Sequence, residues 1–379
     1  MIIYLVFFSV FFLGETLPEL FLRNHLKAKR ISEAVFGGVL LMVFSGIKGV
    51  SVGRDTINYY NFYVSLKNVN FWTFPSSGFE EGFVLLCKIG AKVGLPFWLF
   101  SFLLYFLIYS SLSFSIYKNS ASIPFSFLIF FCSGFFVFNL SGLRQALAIS
   151  MILMAFEILK RSNFWSVILF IIIVLLAFTI HRTSIVFLVA LLGKKVNLTM
   201  KSTVLVIPLL LLIFFLSPKL YEAGFYLYGK STYFPTTSEG GGQFLLYLVF
   251  LIASIFISEK EISAPFFNSL NGKFTKKKGL NLDCFDSIDE RFSGQYTFLF
   301  LFGVLFQSFS LASPVFPRMG LYFSIFQIFV IPIALKQIPK GFSKFVLSFS
   351  VILFYIFFFY FYSLRTNSLD ILPYSFFWS

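Results

Sequence analysis

At 379 residues, 58% apolar and only 12% charged, with 60 phenylalanines and a mean hydropathy of +0.87, the chain is excluded from the soluble globular class and reads as a polytopic membrane protein. Its unbroken apolar runs approach the ~20 residues that a helix needs to cross a hydrocarbon core, which excludes a barrel of short alternating strands. The 30 Lys and Arg against 16 Asp and Glu would suggest nucleic acid in a soluble protein, but without a basic stripe on a polar surface they act as topology signals, and no nucleic-acid partner is expected.

The first run, Met1 to Leu13, has no basic residue before it and reads as a retained span rather than a cleaved signal. In chain order the apolar runs fall at 1–22, 31–49, 95–116, 123–140, 143–159, 164–180, 183–193, 202–217, 243–258, 296–312, 319–335 and 345–362. This predicts an all-α, polytopic transmembrane helical bundle of about twelve spans, forming one integral membrane domain over 1–379. The run at 183–193 is short, so it is expected to borrow flanking residues or to sit where the membrane is thinned or protein-lined.

Counting Lys and Arg on alternate faces puts 19 of the 30 on one side, which the positive-inside rule makes cytoplasmic. Both termini and the segment Val52 to Tyr63, VGRDTINYYNFY, then lie outside. The count closes only if Phe79 to Gly94 does not cross. Its two acids, two lysines and small apolar content suit an amphipathic helix at the outer interface, within an outer loop over 51–94.

The cytoplasmic loop over 259–295 pairs KFTKKKG with LDCFDSIDERF. Asp283, Asp286 and Asp289 recur at intervals of three but lack the pattern of a cation loop, so a self-compensating solvated loop is expected. SEGGGQ, between Tyr221 and Gln243, lacks the ending of a phosphate loop. Cys87, Cys132 and Cys284 have neither metal-ligand nor redox spacing and are expected to be free thiols. No metal and no cofactor are implied.

What remains is polar chemistry at span ends on the outer face: Arg54, Asp55, Glu80, Glu81, Arg144, His181, Arg182, Arg318, Arg365 and Tyr374. Arg144 stands in the first turn of a span, where the helix dipole disfavours a cation. That points either to an anionic partner or to an arginine snorkelling to headgroups. His181 is either a polar spacer or a base able to take a proton near neutral pH. Glu80 and Glu81 open the interfacial helix, where the dipole alone would favour them; the functional reading is a general base or an arginine partner. Several arginines with few acids suit an oxygen-rich anion such as a lipid pyrophosphate, and the tyrosines suit sugar rings.

At these positions the chain resembles the EpsG family of bacterial polysaccharide polymerases, relatives of the Wzy-type O-antigen polymerases. The matching residues are Gly53, Asp55, Thr56, Tyr59 and Tyr63; then Glu80, Gly82 and Phe83; Arg144, Gln145 and Ala148; His181 and Ser184; Arg318, Tyr322 and Phe323; and Pro373 and Tyr374. Arg54 departs from the pattern, where a small residue such as Thr is more usual.

The resemblance implies a polymerase that joins undecaprenyl-pyrophosphate-linked repeat units of O-antigen, capsule or exopolysaccharide. The reaction would occur at the outer face of the bacterial inner membrane, and a GT-C-like fold follows by analogy. Expected partners are the lipid-linked glycan donor and acceptor, the bilayer and a chain-length regulator protein. The catalytic candidates are Glu80, Asp55, His181 and Arg144, with the base left open among the first three. The substrate-binding candidates are Arg54, Tyr59, Tyr63, Glu81, Gln145, Arg182, Ser184, Arg318, Tyr322, Arg365 and Tyr374. A lipid-linked glycan flippase and an O-antigen ligase are the alternatives.

Overall fold

The computed structural model describes residues 2–22, 25–73, 78–195, 198–227, 241–259, 263, 266 and 293–379. Among these the fold is helical, and the only extended pairing is a single bridge between Lys48 and Phe376. Contacts gather into two compact units, residues 1–188 with 352–379, and residues 189–351.

The first unit contains α1 (Ile2–Phe21), α2 (Leu26–Gly46), α3 (Thr56–Ser65), α4 (Glu81–Lys92), α5 (Phe97–Asn119), α6 (Ile123–Cys132), α7 (Phe135–Ser141), α8 (Leu143–Leu159) and α9 (Phe164–Ile180). α5 packs between α2 and α8, and α8 packs on α9. The interior is largely aromatic. Phe7 stacks on Phe131 at 4.6 Å, and Phe131 stacks on Phe136 at 4.6 Å, an arrangement that offset rings favour.

α4 is a short helix with one face buried. It buries Phe83, Val84, Cys87 and Ala91 while Glu81 and Ile89 stay exposed. Its 12 residues extend about 18 Å, short of a hydrocarbon core of about 30 Å. Lys88 is buried because its ammonium is satisfied by the carbonyls of Phe71 (2.5 Å) and Thr73 (2.6 Å).

The second unit holds α10 (Met200–Leu227), α11 (Gly241–Ser258), α12 (Ser293–Ser308), α13 (Val315–Ser324), α14 (Gln327–Gln337) and the start of α15 (Phe342–Phe358). α12 packs on α11 and α13, and Phe306 stacks on Phe323 at 5.6 Å. α15 continues as a wider π-helical turn, Phe359–Arg365, into the C-terminal segment.

About twelve spans are expected from the apolar runs, whereas four helices among the described residues are long and apolar enough to cross: Phe97–Asn119, Met200–Ala223, Gly241–Ser258 and Phe342–Arg365. Two bent pairs raise the number to six. The run at 123–140 breaks after Cys132 with a 56° bend into α7, and the run at 319–335 is divided between α13 and α14 with a 47° bend. The short run near 183–193 lies in a 3₁₀ helix, Arg182–Lys195, of 14 residues. At a rise of about 2.0 Å per residue it reaches about 28 Å, where an α-helix of that length would reach about 21 Å.

Cys87 and Cys132 are free and buried. Cys284, the Asp283–Asp286–Asp289 series, most of the loop over 259–295 and the first half of SEGGGQ lie outside the described residues; Gly241, Gly242 and Gln243 open α11.

Candidate functional site

Two glycines position the site. Gly53 has φ +92°, a conformation in which a side chain is strained, and a Cβ there would fall 2.3 Å from the Leu140 carbonyl oxygen. It turns the chain into α3 against the end of α7, where Asp55 N–H donates to Ser141 Oγ at 3.2 Å. Gly82, in the first turn of α4, lies against the end of α9, and a Cβ there would come within 2.3 Å of Thr179 Oγ1 and 2.8 Å of its carbonyl oxygen. The missing side chain lets α4 approach closely enough for Glu80 to reach His181.

Glu80 is the N-cap residue of α4, yet its side chain does not cap its own helix. One carboxylate oxygen accepts from the Arg144 guanidinium. The other accepts from Arg182 N–H at 3.3 Å and lies 3.2 Å from His181 Nδ1. This pairing answers the unfavourable placement of a cation in the first turn of α8. Glu81 stands exposed in the first turn of α4, outside these contacts, where the helix dipole favours it.

Arg144 lies over an aromatic floor. Its guanidinium carbon is 4.6 Å from the centre of Phe79, 5.8 Å from Tyr59 and 5.9 Å from Phe83. The three rings contact one another at 5.5–5.8 Å. Phe79 is a neighbour of the cluster that polar-residue reasoning passed over, while Phe83 entered only as part of the motif that begins at Glu80; the aromatics flanking Glu80 were the available signal. Arg144 Nε and Ser184 Oγ are buried without a hydrogen-bond partner among the described residues.

Electrostatics follow from this geometry. Burial pushes the Glu80 carboxyl up, but the hydrogen bond from His181 and the charge of Arg144 outweigh it and hold the group at about 2. Burial raises the Tyr59 phenol, with the Arg144 charge acting against it. A Nδ1–H on His181 donated to the carboxylate leaves Nε2 as the acceptor on the far side of the ring. Among the described residues no three His, Cys, Asp or Glu side chains are grouped so that they could hold a metal ion.

The cluster therefore joins Tyr59, Glu80, Arg144, His181 and the main chain of Arg182, with Asp55 one helical turn before Tyr59. Gln145 is buried in the same turn of α8, and Arg182 turns an exposed side chain to the surface. Other candidates are engaged elsewhere in the first unit. Arg54 pairs with Asp370 at 3.3 Å, both more than half exposed. The Tyr63 hydroxyl donates to the Leu95 carbonyl at 2.8 Å, and that of Tyr374 donates to the Phe44 carbonyl. Arg365 lies over the Phe361 ring at 5.5 Å. Arg318, exposed, and Tyr322, buried, belong to α13 in the second unit.

No curated protein and no solved structure matches the chain. A family profile described as the EpsG family matches residues 34–376, which takes in every residue of the cluster. The chain belongs to the EpsG family, the polysaccharide-polymerase family that its motifs resemble.

Proposed function

We propose that the protein lengthens a glycan by glycosyl transfer between two undecaprenyl-pyrophosphate-linked oligosaccharides, at the outer face of the bacterial inner membrane. The observation that carries this reading is the Arg144–Glu80–His181 constellation, a caged guanidinium beside an imidazole oriented by a carboxylate. A hydroxyl of the acceptor repeat unit attacks the anomeric carbon of the donor chain. The bond from that carbon to the pyrophosphate oxygen breaks, and the hydroxyl proton passes to His181 Nε2. Arg144 stabilises the charge gathering on the departing pyrophosphate, for which its fork of donors is suited.

Glu80, held ionised at about 2, is a weak base. It serves to fix the His181 tautomer and to hold Arg144 in place, so His181 is the favoured base among the three candidates. Asp55 and Tyr59 border the acceptor side. About twelve crossings in a GT-C-like arrangement, and a chain-length regulator protein as partner, belong to the same reading.

The test is polymerisation in proteoliposomes with defined lipid-linked repeat units. Purified protein should produce a ladder of lengths, and Arg144→Ala should abolish it at matched membrane abundance. In cells, the Arg144→Ala strain should still present single lipid-linked units on the outer leaflet. Retention of those units on the cytoplasmic leaflet would favour the flippase reading, and transfer to a non-repeat acceptor would favour a ligase. A tag near Asn68 should report outside.

A further inference from the structure

A different face of α3 bounds a second concavity in the first unit. Residues of an α-helix turn by about 100° each. Tyr59 and Phe62 therefore meet Phe79, at 5.8 and 4.7 Å, while Thr56, Tyr60 and Tyr63, with Lys67 from the 3₁₀ turn Leu66–Asn68 that follows, line a cavity of about 340 Å³. That size suits a small ligand or a headgroup.

Lys48 forms part of its lining. The residue is 8% exposed, and its ammonium donates to the Val52 carbonyl at 2.7 Å and to Thr56 Oγ1 at 2.6 Å. Both acceptors are neutral, and among the described residues no carboxylate forms an ion pair with it. An ammonium has three donors, so one remains, and a buried cation without a counter-ion is unfavourable.

The start of α5 opens onto the same space through Pro96, Phe97 and Trp98. Pro96 offers no side-chain cap, and the N–H groups of Phe97 and Trp98 have no acceptor among the described residues. Lys67 stands exposed on the rim. One wall is aromatic, with Trp98 stacked on Phe377 at 4.7 Å and 13°.

A buried lysine, an exposed lysine and a helix N-terminus that line one cavity supply the kind of donors that an oxyanion with several oxygens requires. The first turn of α5, a helix long and apolar enough to cross a membrane, lines the cavity, which favours an oxyanion carried by a lipid. We propose that this cavity is a second phosphate site, separate from the Arg144 cluster, that takes the phosphate ester of a membrane lipid. Two sources share that chemistry: a polyprenyl pyrophosphate and the headgroup of an anionic phospholipid. The first rests on the glycosyl-transfer reading, in which two lipid pyrophosphates must be held apart and the Arg144 cluster takes one.

The experiment uses the full chain in nanodiscs of neutral phosphatidylcholine, with inorganic pyrophosphate as probe and acylation of lysines read by mass spectrometry. Pyrophosphate should protect Lys48 and Lys67 and leave reactive Lys118, which is exposed in the last turn of α5 and does not line the cavity. Lys67→Gln, an exposed change that leaves the fold alone, should raise the half-protecting concentration for Lys48 about tenfold, as for loss of one charged hydrogen bond. Arg144→Ala should leave the protection of Lys48 unchanged.

In nanodiscs containing phosphatidylglycerol, protection already present before the probe is added identifies the phospholipid as the source. Protection that still requires pyrophosphate identifies the polyprenyl carrier. Unprotected lysines in both nanodiscs, protection unaltered by Lys67→Gln, or protection lost in Arg144→Ala overturns the proposal. Because the readout needs no turnover, a chain that made no polymer would still return a clear answer on this site.

Discussion

Glu80→Gln perturbs the cluster where its members are most tightly linked. Gln keeps the size and one acceptor oxygen but removes the charge that holds Arg144, and its amide donors repel the guanidinium and the Nδ1–H of His181. The carboxyl is lowered from 4.5 to about 2 in the fold. That difference corresponds to about 3 kcal/mol of stabilisation as an upper bound, and to about 1–2 kcal/mol once screening by solvent at this partly exposed pair is allowed for. Because the folded-state value is depressed, the contribution is complete above about pH 4.5 and is lost as the pH falls toward about 2. The stability difference between wild type and variant should therefore shrink across that window and be constant above it.

Turnover should suffer more than stability. Removing the carboxylate that sets a histidine tautomer costs up to about 10⁴ in rate in well-studied triads, and loss of a charge-stabilising contact costs about 10² to 10³. Single-turnover transfer at pH 7 with lipid-linked repeat units, alongside thermal unfolding from pH 3 to 8 at matched protein amounts, measures both. A near-wild-type rate in Glu80→Gln, with His181→Gln strongly impaired, would refute the idea that Glu80 orients the imidazole and anchors the arginine.

Arg144→Lys keeps the charge but loses the planar fork, so it should lower single-turnover transfer by about 10² to 10³; a snorkelling arginine would tolerate the change. Gly82→Ala drives a methyl against the Thr179 main chain and should move Glu80 away from His181. Its expected result is a large loss of transfer with the chain still in the membrane, and unchanged activity would show that α4 can shift freely. Arg54→Ala removes an exposed pair with Asp370 and should change unfolding stability by less than about 0.5 kcal/mol, measured in the same unfolding assay.

The helical membrane class was legible because it depends on composition, which every stretch of the chain repeats. The order of the polar motifs was legible as well, but their meeting was not. Arg144 is 64 positions from Glu80 and His181 is 101 positions from it, and nothing in either motif states that Gly82 brings α4 against Thr179. Tyr63 and Tyr374 read as sugar-binding because they are polar aromatics near a membrane face; their hydroxyls are occupied by the Leu95 and Phe44 carbonyls, contacts that arise only after packing. Hydropathy also reports how much apolar length is present and not whether the backbone runs straight. The bend after Cys132 and the 3₁₀ stretch after Arg182 therefore leave no mark on an apolar profile.

The C-terminal segment has a consequence for assembly in time. Gly49 N–H bonds to the Ser375 carbonyl, Gly53 N–H to Asp370, Arg54 N–H to Leu369, and Phe377 N–H returns to Ile47. The stretch that leads into α3 thus emerges early in synthesis, while the groups that satisfy its main chain emerge more than 300 residues later, as does the side-chain partner of Arg54, Asp370, at a separation of 316. Until then those donors must be held by water or by the insertion machinery. The proposed catalytic half of the molecule is consequently among the first parts made and among the last to be finished, so a chain interrupted before Leu369 would hold Glu80, Arg144 and His181 without the strap that ties down the stretch leading into α3.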